Sequence, residues 1–272
     1  MNKMLLSAAL ITLVIGTAIF YFLTQQPSEP LPTVTTVAEP TAQPPQEPAI
    51  RYPLTEPETP TEPTATAQTE TPPALPGIEA GDAVMHNLLD LLADDQKLLK
   101  LFLFDHFVQR LVVTIDNLPR KELAGRQLPL KSPAGSFLTQ GELGSEIISP
   151  YNARRYAPYL DLAEKLDTKQ LVSIYIRHYP LFQKAYADLG YPSGYFNDRL
   201  IEVIDHLLAT PDIQPPIPLE RPGVLYHFAD AELENRSAGQ KMLLRSGPEN
   251  ARKIKEKLSA LRAELMAHSQ RP

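Results

Sequence analysis

Fourteen of the chain's 28 prolines fall between Thr24 and Ala80, interleaved with 12 Thr, 8 Glu and a single base, Arg51. A stretch of that composition cannot bury enough apolar surface to offset the entropy of ordering it, and its prolines favour extended polyproline II backbone. It divides the 272-residue chain into three unlike parts. At ~3.1 Å per residue the stretch reaches about 180 Å at most, and repulsion among its glutamates keeps it open. Pro57, Pro60 and Pro63 keep the Pro-x-x-Pro spacing that aromatic-lined grooves read, as do Pro45 with Pro48 and Pro73 with Pro76. Among so many prolines such spacings arise by chance, so residues 24–80 are expected to be a disordered Pro-rich spacer.

Ahead of it, Leu5 to Leu23 is a run of 19 residues without a charge. As a helix it is about 28 Å long, close to the ~30 Å hydrocarbon core of a bilayer. Its Leu, Ile, Val and Phe side chains contribute on the order of −3 to −7 kcal/mol to insertion, which outweighs Ser7, Thr12, Gly16 and Thr17. The run exceeds the apolar core of a signal peptide, and Tyr21-Phe22-Leu23-Thr24 offers no small-x-small cleavage site. Residues 1–23 are therefore expected to be a cytoplasmic stub and one uncleaved transmembrane helix. Lys3 precedes the run and the next base is Arg51, so the positive-inside bias puts the N-terminus in the cytoplasm and the remainder across the membrane.

Residues 81–272 are long enough for one domain with its own core. Their bases and acids balance at 24 each, so the chain's acidity lives in the spacer, at −7, with Lys3 bringing the total to −6. Apolar residues recur at helical spacing. A short pattern runs from Asp82 through Leu92, and a long one from about Asp95 to Asn117 includes Leu98, Phe102, Val108, Val112 and Ile115. Ser149-Pro150 predicts a capped start to a broken helix ending at Leu166. Asp167-Thr168-Lys169-Gln170 has capping-box spacing and opens a helix that Pro180 should kink and Gly190 close. Leu200, Ile204, Leu207 and Leu208 mark another helix, halted by Pro211. Ser237-Ala238-Gly239-Gln240 is a second capping box, and Gly247-Pro248 a stop and restart before a last helix to His268. Strand signals are weak: a short hairpin joining 128–130 to 136–138, and an extended crossing from Pro211 to Pro222. The expected fold class is mainly α.

Several strings in this domain carry a resemblance. They are Ile115-Asp116-Asn117-Leu118-Pro119-Arg120; Tyr179-Pro180-Leu181-Phe182-Gln183 with Leu189-Gly190-Tyr191-Pro192; Phe196-Asn197-Asp198-Arg199-Leu200 through Ile204-Asp205-His206-Leu207-Leu208; and Ser237-Ala238-Gly239-Gln240-Lys241 through Leu244-Arg245. Over roughly Asp82 to Leu265 the chain resembles the bacterial family called domain of unknown function 3014. Ser246 departs from that family's pattern, which has methionine there. The resemblance implies a single-span envelope protein of Gram-negative bacteria with a proline-rich linker, and it implies no activity.

Chemistry is harder to find. The chain has no cysteine, which excludes disulfides, zinc-thiolate sites, iron–sulfur clusters and thiol nucleophiles. Its histidines are scattered, and it carries no His-Glu-x-x-His, Gly-x-Ser-x-Gly, Ser-x-x-Lys or phosphate loop. Neither a metal nor a cofactor is expected. The best candidate is the helix from Asn197 to His206, where Asp198, Glu202 and Asp205 share one face with Arg199 and His206 beside them. That face reads as a carboxylate cluster for binding or acid–base work, or as a solvated face with local Arg199–Glu202 and Glu202–His206 pairs. A glycosidase pair must flank its bond, whereas neighbours on one helix project side by side, so binding is favoured over catalysis. Tyr191 and Tyr195, near helix breaks, are candidate contact residues, as are Tyr151 and Tyr156. Leu171, Tyr175, Phe182, Tyr186 and Leu189 form a stripe that reads as core.

From Ser237 to Arg262 seven bases face two acids, Glu249 and Glu256, a surface suited to an acidic polymer or lipid. Overall acidity makes nucleic acid an unexpected partner. The leading expectation is a non-enzymatic binding or scaffold module in the periplasm, anchored in the inner membrane by residues 5–23, with an envelope protein or cell-wall partner. Two alternatives stay open: a cell-wall enzyme using the acidic face at 198–206, and a polyanion-binding adaptor using the basic C-terminal helix.

Overall fold

The structure, a computed structural model, describes residues 49–54, 81, 85, 89, 96–123 and 125–269. All of them belong to one compact unit spanning residues 47–272. The apolar run 5–23 and most of the expected spacer lie outside the described residues. Among the described residues no helix is long and apolar enough to cross a membrane.

The fold is mainly helical, as the apolar periodicity predicts. Among the described residues from 96 onward its helices are α1 (Gln96–Leu99), α2 (Phe107–Asn117), α3 (Ala157–Lys165), α4 (Thr168–Arg177), α5 (Tyr179–Asp188), α6 (Phe196–Leu208), α7 (Ala231–Glu234), α8 (Ala238–Ser246) and α9 (Pro248–Ala267). Several begin where the sequence places a cap. The Asp167 carboxylate accepts from Gln170 N at 2.9 Å, and Ser237 Oγ accepts from Gln240 N at 3.2 Å. Ser149 caps a 3-10 turn, Pro150–Tyr156, that runs into α3. Gly247 divides α8 from α9 at φ +93°, a conformation open to glycine, and Pro248 follows it in the first turn.

Two expected helices are each divided. The pattern from about Asp95 to Asn117 is α1 and α2 with a loop between them. Residues 101–103 leave the helix because their backbone pairs elsewhere: Leu103 N donates to Pro129 O at 2.7 Å and Lys131 N to Leu101 O at 2.8 Å. That bridge, Phe102 opposite Leu130, replaces the predicted pairing of 128–130 with 136–138. The second division falls at His178, between α4 and α5. Pro180 does not kink a continuous helix; it sits in the first turn of α5, where its missing N–H costs no hydrogen bond. Leu189, expected on the core stripe, is exposed past the end of α5.

Two hairpins complete the unit. β1 (Thr139–Gln140) pairs with β2 (Ile147–Ile148), and β3 (Leu219–Glu220) with β4 (His227–Phe228), both antiparallel. The expected extended crossing after Pro211 leads into β3, and an antiparallel bridge between Ile147 and Pro218 joins the hairpins. Their inner faces bury Ile217, Leu219 and Phe228 against Leu233 and Leu244.

Helix α6 is the hub. Phe196 packs with Val108, Val112, Leu181 and Phe182 of α2 and α5, its ring stacked on Phe182 at 6.2 Å. Ile201 and Ile204 pack with Val172, Ile176 and Leu265 of α4 and α9. Val203 and Leu207 meet Leu243 and Ala251 of α8 and α9. Burying apolar surface on so many sides leaves little solvated face. That corrects the expectation of a helix with one apolar side and one wet one.

Candidate functional site

At the N-terminal end of α6, Asp198 does not face solvent. Its side chain is 12% exposed, covered by residues 49–54, a short strap from within the stretch read as spacer. Both carboxylate oxygens accept from consecutive backbone N–H groups of the strap, Arg51 to Oδ2 and Tyr52 to Oδ1, each at 2.8 Å. Asn197, fully buried, donates its amide to Tyr52 O at 2.8 Å. Tyr195 Oη accepts from Leu54 N at 3.0 Å, and Leu54 also bridges Ser269 after α9. Pro53 has no N–H to place. Thus all three backbone donors of residues 51–54 are bonded, and Tyr52 and Leu54 pack against the Ile201–Ile204–Leu265 cluster.

The groups that hold the strap are themselves held. Tyr175 donates to Asn197 Oδ1 at 3.3 Å, and Tyr179 donates to Gln183 Oε1 at 2.7 Å while accepting from Asn197 N at 3.4 Å. Burial, reinforced by neighbouring phenols, pushes the Tyr175 and Tyr179 hydroxyls well above the ordinary tyrosine range, so both remain donors. The Tyr195 ring lies 5.3 Å from that of Tyr179.

The next residue, Arg199, reaches across to α2. Its Nε donates to Asp116 Oδ1 at 2.9 Å and its Nη2 to Asp116 O at 2.8 Å, tying α6 to α2. Asp116, with a side chain 3% exposed, also accepts from Arg120 Nη2 at 2.7 Å and from Tyr191 Oη at 3.4 Å. The Asp116 carboxylate raises the pKa of Arg120. Tyr191 stacks on Tyr186 at 4.7 Å, a packing role in place of the expected contact role. The predicted Arg199–Glu202 pair forms at 3.3 Å, and Glu202 also lies 3.8 Å from Arg51.

At the far end, His206 Nε2 lies 2.8 Å from Ser237 Oγ, a separation that suits a nucleophile and its base. The surroundings suit a joint instead. An oxyanion hole would draw on the first N–H groups of α8, but Ala238 N donates to Arg120 O at 2.7 Å and Gly239 N to Leu118 O at 2.9 Å. Gln240 reaches back to His206 O at 3.1 Å. This close seating requires Gly239, where a Cβ would stand 2.6 Å from Leu207 Cδ2 and 3.1 Å from Leu118 O. Asp205 pairs with Arg262 of α9 rather than with its helix neighbours.

The predicted residues therefore lie on or just before one helix but do not form one site. Asn197, Asp198 and Tyr195 converge on the strap; Arg199 and Tyr191 converge on Asp116; Asp205 and His206 dock α9 and α8. The basic stretch is likewise engaged by the chain's own groups. Lys241 meets Glu234, Arg245 donates to Tyr226 O, Arg252 meets Glu256, and Lys253 meets Glu164. Lys255 meets Asp212, Lys257 donates to Leu166 O, and Arg262 meets Asp205. Among the described residues no group of three or more His, Asp or Glu is placed to hold a metal ion. Sequence reading passed over Asp116, Arg51, Tyr52, Leu54 and Ser269. Only Asp116 carried a signal, as one of the strings on which the family resemblance rests.

Comparison with known proteins adds one finding. No curated protein and no solved structure matches the chain. The family model described as protein of unknown function (DUF3014) matches residues 107–262, which include Asp116, Tyr195, Asn197, Asp198 and Ser237 and stop short of the strap at one end and Ser269 at the other. Because that match takes in more than half of the chain, and with it all of α2 to α8, the protein belongs to the DUF3014 family.

Proposed function

We propose that the protein is a non-enzymatic binding module of the bacterial cell envelope, tethered to the inner membrane by residues 5–23 with its helical domain in the periplasm. The observation that supports this reading is how the polar face of α6 is used. Groups with catalytic potential are bonded to the chain's own side chains and carbonyls, whereas its N-terminal end receives an extended segment of polypeptide through that segment's backbone. Holding an extended segment is a binding function. The cell-wall-enzyme reading draws on the same residues, and it requires Asp198 and Asp205 to leave partners they already have. The polyanion reading likewise requires bases of α8 and α9 to exchange internal acceptors for external ones.

The test uses the full chain in cells of its source, with a photo-activatable residue at Glu202, which is exposed beside the strap. A reproducible envelope adduct, absent when the same residue replaces Lys169 on α4, supports the reading. Adducts at neither position, or the same adducts at both, would overturn it. Release of fragments from purified sacculi, abolished by Glu202→Gln, would establish the enzyme instead.

A further inference from the structure

The carboxylate of Asp198 stands at the N-terminal end of α6. It is buried, and two backbone N–H groups of the strap supply its shortest hydrogen bonds, with the Arg51 guanidinium farther off at 3.9 Å. The strap both covers this carboxylate and satisfies it, so a segment that takes the strap's place must present consecutive N–H groups to it. Asn197 and Tyr195 add a donor and an acceptor that also address backbone. Apolar side-chain recognition falls to Tyr52 and Leu54, two residues apart on one side of an extended segment, which pack on the apolar cluster, while the exposed Arg51 guanidinium lies 3.8–3.9 Å from Glu202 and Asp198. Backbone bonds for affinity and alternate side chains for selectivity make up a peptide-recognition mode.

The receptor side is built without help from the strap. Asn197 is fixed by Tyr175 and Tyr179, and the Tyr195 ring by Tyr179, all within residues 107–262, whereas the strap precedes that range. A site assembled by the folded domain and filled by a remote stretch of the same chain can exchange its occupant while the domain stays folded.

We propose that Tyr195, Asn197 and Asp198 form a recognition site for an extended peptide with an aromatic residue two positions before an aliphatic one, and that residues 51–54 occupy it in cis as a displaceable latch. The proposal deepens the binding-module reading and rests on it, naming the ligand class and the regulation of that site. Strap and site share one chain, so closure is intramolecular and a free peptide competes against a high effective concentration.

The experiment uses the full chain and a fluorescent peptide with the sequence of residues 49–54. Opening the latch with Tyr52→Ala and Leu54→Ala should tighten peptide binding at least tenfold over the unaltered chain. Adding Asp198→Ala to the opened chain should remove that gain. Equal binding by the opened and unaltered chains, with thermal unfolding showing both folded, would overturn the proposal. A second measurement needs no variant: in the unaltered chain the Tyr52 and Leu54 amides should exchange with deuterium at least tenfold faster than those of Val112 and Ile204. Exchange at the same rate would make the strap a permanent part of the fold and sink the latch. Peptide binding without an envelope adduct at Glu202 would retain the site and discard the cellular reading, so the two failures are separable.

Discussion

Asp116 on α2 and Asp198 on α6 are both buried carboxylates, and they differ in what closes them. Asp116 is closed by side chains of the folded domain: Arg199 from the helix opposite, Arg120 one turn on and Tyr191 beyond α5. Asp198 is closed by the main chain of a segment remote in sequence, 146 and 147 positions earlier. The first arrangement cannot be vacated without separating α2 from α6. The second can be vacated by moving six residues. Two like charges in similar burial thus serve a joint and a clamp, and only the clamp can be offered to another molecule.

The largest effect is expected from removing the joint. Asp116→Ala leaves the Arg199 guanidinium, 20% exposed, facing a cavity in place of a carboxylate. Breaking a buried pair in this way costs ~3–5 kcal/mol; the value here should fall near 3, because Arg120 reaches solvent. Urea unfolding of the full chain measures it, and a loss below about 1 kcal/mol would show that Asp116 is not a structural centre. A smaller effect is expected at Gly239→Ala, where Leu207 and Leu118 must yield to a new methyl group. Overpacking of this kind costs ~1–3 kcal/mol, read from the same unfolding curves.

Removing the clamp should do something different in kind. Asp198→Ala should leave the main unfolding transition within ~1 kcal/mol of the unaltered chain while freeing the strap. The Arg51–Tyr52 bond is a tryptic site whose arginine side chain is already 59% exposed, so what shields it is the bonded backbone. Cleavage there should accelerate at least tenfold, equivalent to ~1.4 kcal/mol of local opening. If Asp116→Ala accelerates that cleavage equally at temperatures where the domain stays folded, joint and clamp are one cooperative unit and the distinction fails.

Much of the helical frame was legible in sequence, because its signals are local. Asp167, Ser149 and Ser237 cap where three- and four-residue spacing places them, Gly247-Pro248 interrupts where chain geometry demands it, and the Arg199–Glu202 pair forms at its helical spacing. Of the clamp only the receiving side was legible, in the candidates Tyr195, Asn197 and Asp198. Asp198, Glu202 and Asp205 share a helical face in projection, but projection cannot say that Arg51, Asp116 and Arg262 arrive from three other elements to divide that face. The strap was hidden by its own setting. Ala49-Ile50-Arg51-Tyr52-Pro53-Leu54 sits amid proline, threonine and glutamate, and average composition drowned the one place where an aromatic, an aliphatic and the spacer's only base fall together. The division of the long Asp95–Asn117 pattern was invisible for a related reason. The carbonyl that draws Leu103 out of the helix belongs to Pro129.

The smallest predicted effect tests the remaining joint, His206 on Ser237. Burial, aided by nearby Arg199 and opposed by Glu202, lowers the His206 pKa below its ordinary 6.5. A group of lowered folded pKa binds protons more readily when unfolded. Its stabilising contribution is complete above about pH 6.5 and drains away as the pH falls from there toward the folded value. His178, lowered by burial and by Arg177, acts in the same direction. The unfolding midpoint should therefore decline between pH 7.5 and 5.5, and His206→Gln, which can still meet Ser237, should flatten that decline without touching tryptic cleavage at Arg51. A slope unchanged in the His178→Gln, His206→Gln double variant would assign the pH dependence to other groups. A change in Arg51 cleavage with His206→Gln would instead couple the two ends of α6, which the separate partners of Asp198 and His206 predict to be independent.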